Sequence, residues 1–356
     1  MNLPADSAAR PVRIAIFRAL QLGDMLCAVP ALRALRQAFP AAHITLIGLP
    51  NARGFAQRFD RYIDDLLEFP GAAGFPEQAA RQHALPEFYR QAQAREFDVA
   101  LQCHGSGKHS NGIVRCLGAR QWAGFVPTEA EAVPGQRMPW PDRLPEPLRY
   151  LALLRYLGLP AFDSTLELPL SRREQAAAEA LLRHESLDPA RTVLMHVGAR
   201  LPSRRWPTAR FAEVAAALTG LGWQIALTGT DDEAALVAAV WRHCGMRAAN
   251  LCGRTSLGEL AALAARCRLV ICNDTGMSHV AAAMQTPSVV IASGSDVRRW
   301  APLDSRRHVV ISVNVPCRPC GHAICPIGHP CALGVSVDDV VARARRHLEE
   351  SHHVPS

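Results

Sequence analysis

The chain has 356 residues, 49% hydrophobic and 20% charged, with a net charge of +7 and a pI near 9.0. That length suits two domains and that composition fills two cores, which excludes a disordered chain. The basic surplus is mostly arginine and is scattered rather than run together, so it suits phosphate-bearing small molecules or a transient visit to an anionic membrane surface, not nucleic acid.

The N-terminus carries Asp6, Arg10 and Arg13 before any apolar stretch, unlike a signal peptide. No run approaches the roughly 18 apolar residues of a membrane span. A cytoplasmic protein is therefore expected. The eleven cysteines are an odd number in a long chain, which argues against a secreted disulfide framework.

Short apolar runs alternate with amphipathic stretches. Val12–Phe17 reads as a strand, Met25–Ala38 as a helix and His43–Leu49 as a second strand. Val99–Cys103 and Gln121–Phe125 are further strands, with a helix over Lys108–Leu117 between them. Pro127–Pro147, rich in proline and mixed charge, reads as surface loop, and a helix follows near Leu148–Leu157. The turn residues of Gly158–Pro169 mark a boundary near 165.

The rhythm then restarts. Thr192–Val197, Gln224–Thr228, Arg268–Cys272 and Ser288–Ala292 read as buried strands. Helices near Thr208–Thr219, Asp232–Cys244, Leu257–Ala265 and Met277–Met284 separate them, and a last helix over Val337–Leu348 is expected to brace the first domain. The expected fold class is α/β, two Rossmann-like doubly wound domains facing a cleft, with ligands at the carboxyl ends of the strands. The domains are 1–165 and 166–335, followed by a C-terminal helix and tail over 336–356.

Five segments carry chemistry. Arg18-Ala-Leu-Gln-Leu-Gly23-Asp24 joins the first strand to a helix, where Asp24 is either an N-cap or a general base on a hydroxyl. The G-x-G-x-x-G of dinucleotide binding is absent from this turn. His104-Gly-Ser-Gly-Lys108 lacks the spacing of a P-loop but ends a strand, which suits an acceptor contact. Arg204-Arg205-Trp206-Pro207 precedes a helix start, so either arginine could neutralise a leaving diphosphate, and Trp206 reads as packing. Glu233, in Gly229-Thr-Asp-Asp-Glu233, could accept hydrogen bonds from a ribose or sugar diol or could simply charge a helix N-terminus. Asn273-Asp274-Thr275-Gly276-Met277-Ser278-His279 puts small and polar residues at a helix N-terminus, a phosphate-binding arrangement. Separately, Cys317-x2-Cys320-x4-Cys325-x5-Cys331 is either a structural zinc or iron site or a compact loop of reduced cysteines.

In order and spacing these segments resemble glycosyltransferase family 9, the heptosyltransferases of lipopolysaccharide core assembly, over nearly the whole chain. Arg18-x4-Gly23-Asp24, continued by Ala28-Val-Pro-Ala-Leu-Arg33, looks like the family's opening motif. Asp274-Thr275-Gly276-x2-His279 is similar to its donor signature, and Arg204-x-Trp206-Pro207 to its Lys-x-Trp-Pro. The cysteine cluster resembles one in many heptosyltransferase II-like members.

The resemblance implies a GT-B fold, an ADP-heptose or related ADP-sugar donor, a glycan or lipid-linked glycan acceptor, inversion, and no cofactor required for catalysis. It makes Asp24 the base, and Arg204, Asp274, Thr275, Gly276 and His279 the diphosphate contacts. Glu233 falls on the donor. The acceptor side is too divergent to map by resemblance, and Arg18, His104 and Lys108 are its candidates from their place at strand ends. Two departures stand out: Arg204 replaces a lysine, and Ser293-Gly294-Ser295-Asp296-Val297 stands where Gly-Pro-Thr-Asp-Pro is common. Rival readings are a protein or natural-product acceptor, a sugar-nucleotide epimerase and a non-catalytic sugar-nucleotide-binding module.

Overall fold

The computed structural model describes residues 11–350; Asp6, Arg10 and the tail 351–356 lie outside it. The chain divides into two compact units, Met1–Leu166 and Glu167–Ser356.

The first unit is a six-stranded sheet of β1 (Arg13–Phe17), β2 (His43–Gly48), β3 (Asp65–Glu68), β4 (Val99–Gln102), β5 (Gln121–Val126) and β6 (Arg137–Pro139). Its spatial order is β3-β2-β1-β4-β5-β6, and every pairing is parallel. β1 lies at the centre, with Ala15 and Phe17 essentially inaccessible, because strands covered on both faces must be apolar throughout. Two expectations change here. The run Met25–Ala38 is two helices, Leu22–Leu26 and Val29–Ala38, since Pro30 starts the second. The segment read as surface loop contributes β6 at the sheet edge, a strand too short to show a period.

The second unit repeats the plan with β7 (Thr192–His196), β8 (Gln224–Thr228), β9 (Ala249–Asn250), β10 (Leu269–Asn273), β11 (Ser288–Ile291) and β12 (His308–Ile311). Its order, β12-β11-β10-β7-β8-β9, is that of the first sheet read from the other edge, and again all pairings are parallel. The helix Val337–Glu350 buries Val340, Ala344 and Leu348 in this unit's core, beside the helix Thr208–Gly220. Its apolar stripe thus packs within the second unit.

Each order reverses direction once, between β1 and β4 in the first sheet and between β7 and β10 in the second. Loops leaving the carboxyl ends of those strand pairs diverge, and that is where doubly wound sheets take ligands.

Candidate functional site

At the first switch point the chain leaves β1 through Arg18. This arginine is 1% exposed. Its guanidinium donates to the Cys103 carbonyl just after β4 at 2.7 Å and, in a short hydrogen bond, to the Asp24 carbonyl in the helix Leu22–Leu26. It also lies 3.6 Å from Glu146 and 4.2 Å from the Tyr150 ring centroid. Glu146, fully buried, receives the Tyr150 hydroxyl and Arg149 as well. Burial works against the Arg18 charge, but Tyr150, Glu146 and Asp24 outweigh it and hold the group above its ordinary range.

His104 sits between Phe17 and Phe75, its ring 5.6 Å and 5.0 Å from theirs. The Ala19 N–H donates to its Nδ1 at 3.3 Å, which leaves the ring proton on Nε2. Burial, reinforced by Arg18, pushes its pKa down to about 3, so it is a neutral donor at physiological pH. Lys108 is exposed on the same loop. The structure therefore brings Asp24, Arg18 and His104 together and leaves Lys108 at the surface. Arg18, expected on the acceptor side, bonds the Cys103 and Asp24 carbonyls within the unit through its two terminal nitrogens, while its buried Nε has no hydrogen-bond partner among the described residues.

At the second switch point β10 ends in Asn273, fully buried, whose side chain bonds the Val197 and Gly198 carbonyls and accepts the Trp206 N–H. That stitch holds the loop after β7 against the Asp274-Thr275-Gly276 turn. Thr275 caps the helix Gly276–Ala283 by accepting from the Met277 N–H, and His279 is buried one turn in, 6.2 Å from the Trp300 ring. Glu233 folds over Gly198 so closely that a methyl there would collide with its carboxylate. It lies 3.7 Å from His196 Nε2, and burial holds His196 below its ordinary pKa against the pull of that carboxylate.

Arg204 donates to the Cys320 carbonyl at 2.8 Å, while its buried Nη1 has no hydrogen-bond partner among the described residues. Burial lowers its pKa, and Asp274 is close enough to oppose that effect. The neighbouring Ser293 and Ser295 hydroxyls, following β11, are buried and equally unpartnered. Arg318 grips the Ala292 and Ser293 carbonyls from the other side. Trp206 is packing, as expected: it is 1% exposed and meets Phe211 edge-on.

The metal reading of Cys317, Cys320, Cys325 and Cys331 receives no support. All four are free, and no group of three or more His, Cys, Asp or Glu among the described residues is arranged to hold an ion. Their segment is used otherwise. Cys325 Sγ accepts the His329 N–H, the His329 ring meets the Ser203 carbonyl at 2.9 Å, and the Cys320 N–H donates to the Gly294 carbonyl. The loop is built against Arg204 and the Ser293–Ser295 turn by its backbone.

Residues 86–330, more than half of the chain, match the family model of Glycosyltransferase family 9 (heptosyltransferase). The chain belongs to this family. Lipopolysaccharide heptosyltransferase 2 of Salmonella typhimurium is 34% identical over 113 residues, which is 31% of this chain and 32% of that protein. The matched stretch thus spans about a third of that relative's length. The fold extends further. A family 9 glycosyl transferase from Veillonella parvula superposes with a TM-score of 0.78 at 22% identity, over 97% of this chain and 100% of the other. E. coli ADP-heptose lps heptosyltransferase II does so with 0.71 at 20%, over 96% and 100%. Two Rossmann-like units of this kind make the GT-B fold of these enzymes.

Several residues that the structure places at the two switch points escaped the sequence reading. Arg318 lies among cysteines that drew attention for their sulfur alone. Ser293 and Ser295 were visible only as a departure from the usual motif. Glu146 stands at the start of a helix, where a glutamate ordinarily reads as a solvated end-charge; nothing local signals that it is buried.

Proposed function

We propose that this chain transfers a heptose from an ADP-sugar to a glycan acceptor, with inversion at the anomeric carbon, and that the acceptor is the lipopolysaccharide core. The observation that carries the reading is the second switch point: the Asp274–Gly276 turn at a helix N-terminus, with Arg204 Nη1 and the Ser293 and Ser295 hydroxyls left unpaired beside it. Buried donors without partners are costly unless a ligand takes them. A diphosphate suits a guanidinium, hydroxyls and a helix N-terminus together. The relative named as acting with ADP-heptose on lipopolysaccharide supports the donor and the acceptor class.

In this scheme the acceptor oxygen bonds to the anomeric carbon as the bond from that carbon to the β-phosphate oxygen breaks. Asp24 receives the hydroxyl proton, and the growing negative charge on ADP is met by Arg204, the helix N-terminus and the serine hydroxyls. His279 and Glu233 are assigned to the diphosphate and the nucleoside side of the donor, and the His104–Lys108 loop to the acceptor. No helix among the described residues is long and apolar enough to cross a membrane. A lipid-linked acceptor is then met at the inner-membrane surface from the cytoplasm, where the net charge of +7 assists the encounter.

Asp24→Asn tests the scheme. It keeps the size of the side chain and removes the base, so turnover of ADP-heptose with a truncated core acceptor should fall about 10²–10⁴-fold. Melting temperature and ADP affinity should stay near wild type. A stable variant with near-normal turnover would sink the assignment.

A further inference from the structure

The helix that carries Asp24 cannot position it unaided. Leu22–Leu26 is five residues long, and Gln21 at its N-cap makes no side-chain capping bond. A single uncapped turn is intrinsically weak, because few hydrogen bonds repay the ordering of its backbone. A base must nevertheless sit within hydrogen-bond reach of one particular hydroxyl.

Arg18 supplies the missing constraint. One guanidinium links three separate pieces of chain: the Cys103 carbonyl after β4, the Asp24 carbonyl, and Glu146 at the start of the helix Glu146–Tyr156. Its own N–H continues the ladder by donating to the Ile47 carbonyl after β1. Glu146 is in turn fixed by the Tyr150 hydroxyl and by Arg149, which donates to the Leu144 and Asp142 carbonyls at 2.8 and 2.9 Å. Such a buried charged cluster is poor value as stabilisation, since well-packed apolar residues of the same volume commonly do as well. What apolar residues cannot do is hold two carbonyl oxygens from different elements at one point.

We propose that Arg18 is a positioning residue for Asp24, held in place by Glu146 and Tyr150, and that it is not an acceptor contact; this rests on the reading of Asp24 as the base. The planar fork is the essential feature, because a lysine keeps the charge but cannot serve the same divergent partners.

The test is a double-mutant cycle on the full chain, with Arg18→Lys and Asp24→Asn singly and together. ADP-heptose turnover with a truncated lipopolysaccharide core is read beside calorimetric ADP affinity. Arg18→Lys alone should lower kcat about ten- to a hundredfold, the scale of a misplacement near 1 Å. ADP affinity, which belongs to the second unit, should change by less than about twofold, and the loss should vanish in the Asp24→Asn background. Equal losses in both backgrounds, or a lowered melting temperature with unchanged kcat, would overturn the positioning role. Full activity of Asp24→Asn alone would overturn the base reading and this proposal with it, a result distinct from additivity. Should Arg18→Lys fail to fold, Tyr150→Phe keeps the ring over Arg18 and removes only the hydroxyl that fixes Glu146. The same non-additive fall in kcat is then expected, and additivity again overturns the proposal.

Discussion

At the switch point of the first sheet, Arg18 gives its hydrogen bonds to the Cys103 and Asp24 carbonyls and its charge to Glu146. At the corresponding point of the second sheet, Arg204 makes one hydrogen bond, to Cys320, and keeps Nη1 unspent, as Ser293 and Ser295 keep their hydroxyls. The two sheets share one strand order, so topology alone brings an arginine-bearing loop to the same place twice. What separates the roles is which guanidinium nitrogens remain available after folding. Each keeps one buried guanidinium nitrogen without a hydrogen-bond partner among the described residues, Nε in Arg18 and Nη1 in Arg204. Both terminal nitrogens of Arg18 are held by backbone carbonyls and shape the loop, whereas Arg204 keeps a terminal nitrogen open, which suits an anion.

The comparison can be broken most severely at Glu146. Glu146→Ala leaves Arg18 and Arg149 buried without their carboxylate, and unfolding in urea should show a loss of about 3–5 kcal/mol. A loss below about 1 kcal/mol would mean that the cluster is not closed in the sense argued. Arg204→Ala is the opposite case. ADP affinity measured by calorimetry should weaken by about 1.5–3 kcal/mol, with the melting temperature barely moved. The reverse pattern would make Arg204 a structural residue like Arg18.

A third expectation concerns acid. His104 is held at about 3 by burial and Arg18, well below the roughly 6.5 of an unfolded histidine. The unfolded chain therefore binds the extra proton first as pH falls, and the stability His104 contributes is present above about 6.5 and is lost between there and about 3. Unfolding free energy should fall by up to about 1.4 kcal/mol per pH unit in that window from this group. His308 in the second unit, pushed to about 4 chiefly by burial, adds a slope of the same sign. His104→Asn should flatten the slope measured by urea titration between pH 6.5 and 4.5, and an unchanged slope would show that His104 does not stay neutral on folding. The smallest effect is at Ser295. Ser295→Ala should cost about 0.5–1.5 kcal/mol in ADP binding and nothing in stability, since no hydrogen bond within the chain is lost. A stability loss without an affinity loss would close the site that Arg204 is argued to leave open.

Much of this architecture is readable in advance because central parallel strands are buried on both faces. Val289, Val290 and Ile291 have zero exposure, and such continuous apolar runs announce themselves. The edges are harder. β3 begins and ends on the acids Asp65 and Glu68, and β9 is two residues long, so neither has a pattern to find. The Asp274–His279 segment is legible because small polar residues between a strand and a helix have a local meaning. Arg18 is not, because its partners stand 85 residues away at Cys103 and further still at Glu146, and burial of that kind belongs to the tertiary fold. The cysteine spacing left its two readings open for a related reason: spacing says which sulfurs could meet, whereas the contacts of Cys325 and His329 with backbone partners belong to the tertiary fold.

The contact between Gly294 and Cys320 sets how the cysteine segment can drift over generations. Its fastening is written in main-chain atoms: the Cys320 N–H on the Gly294 carbonyl, the Cys320 carbonyl under Arg204, and the Ala323 carbonyl on the Ser203 N–H. A side chain at 294 would meet Cys320 Cβ at 2.8 Å, so the glycine is confined by the β-carbon that any residue but glycine at 320 carries and not by its sulfur. Exchanging the thiol at the exposed Cys317 touches none of these bonds. Adding or removing a single residue between Cys317 and Ala323 would shift them all at once. Selection on this stretch should therefore act on its length more strictly than on its chemistry, the inverse of what its composition advertises.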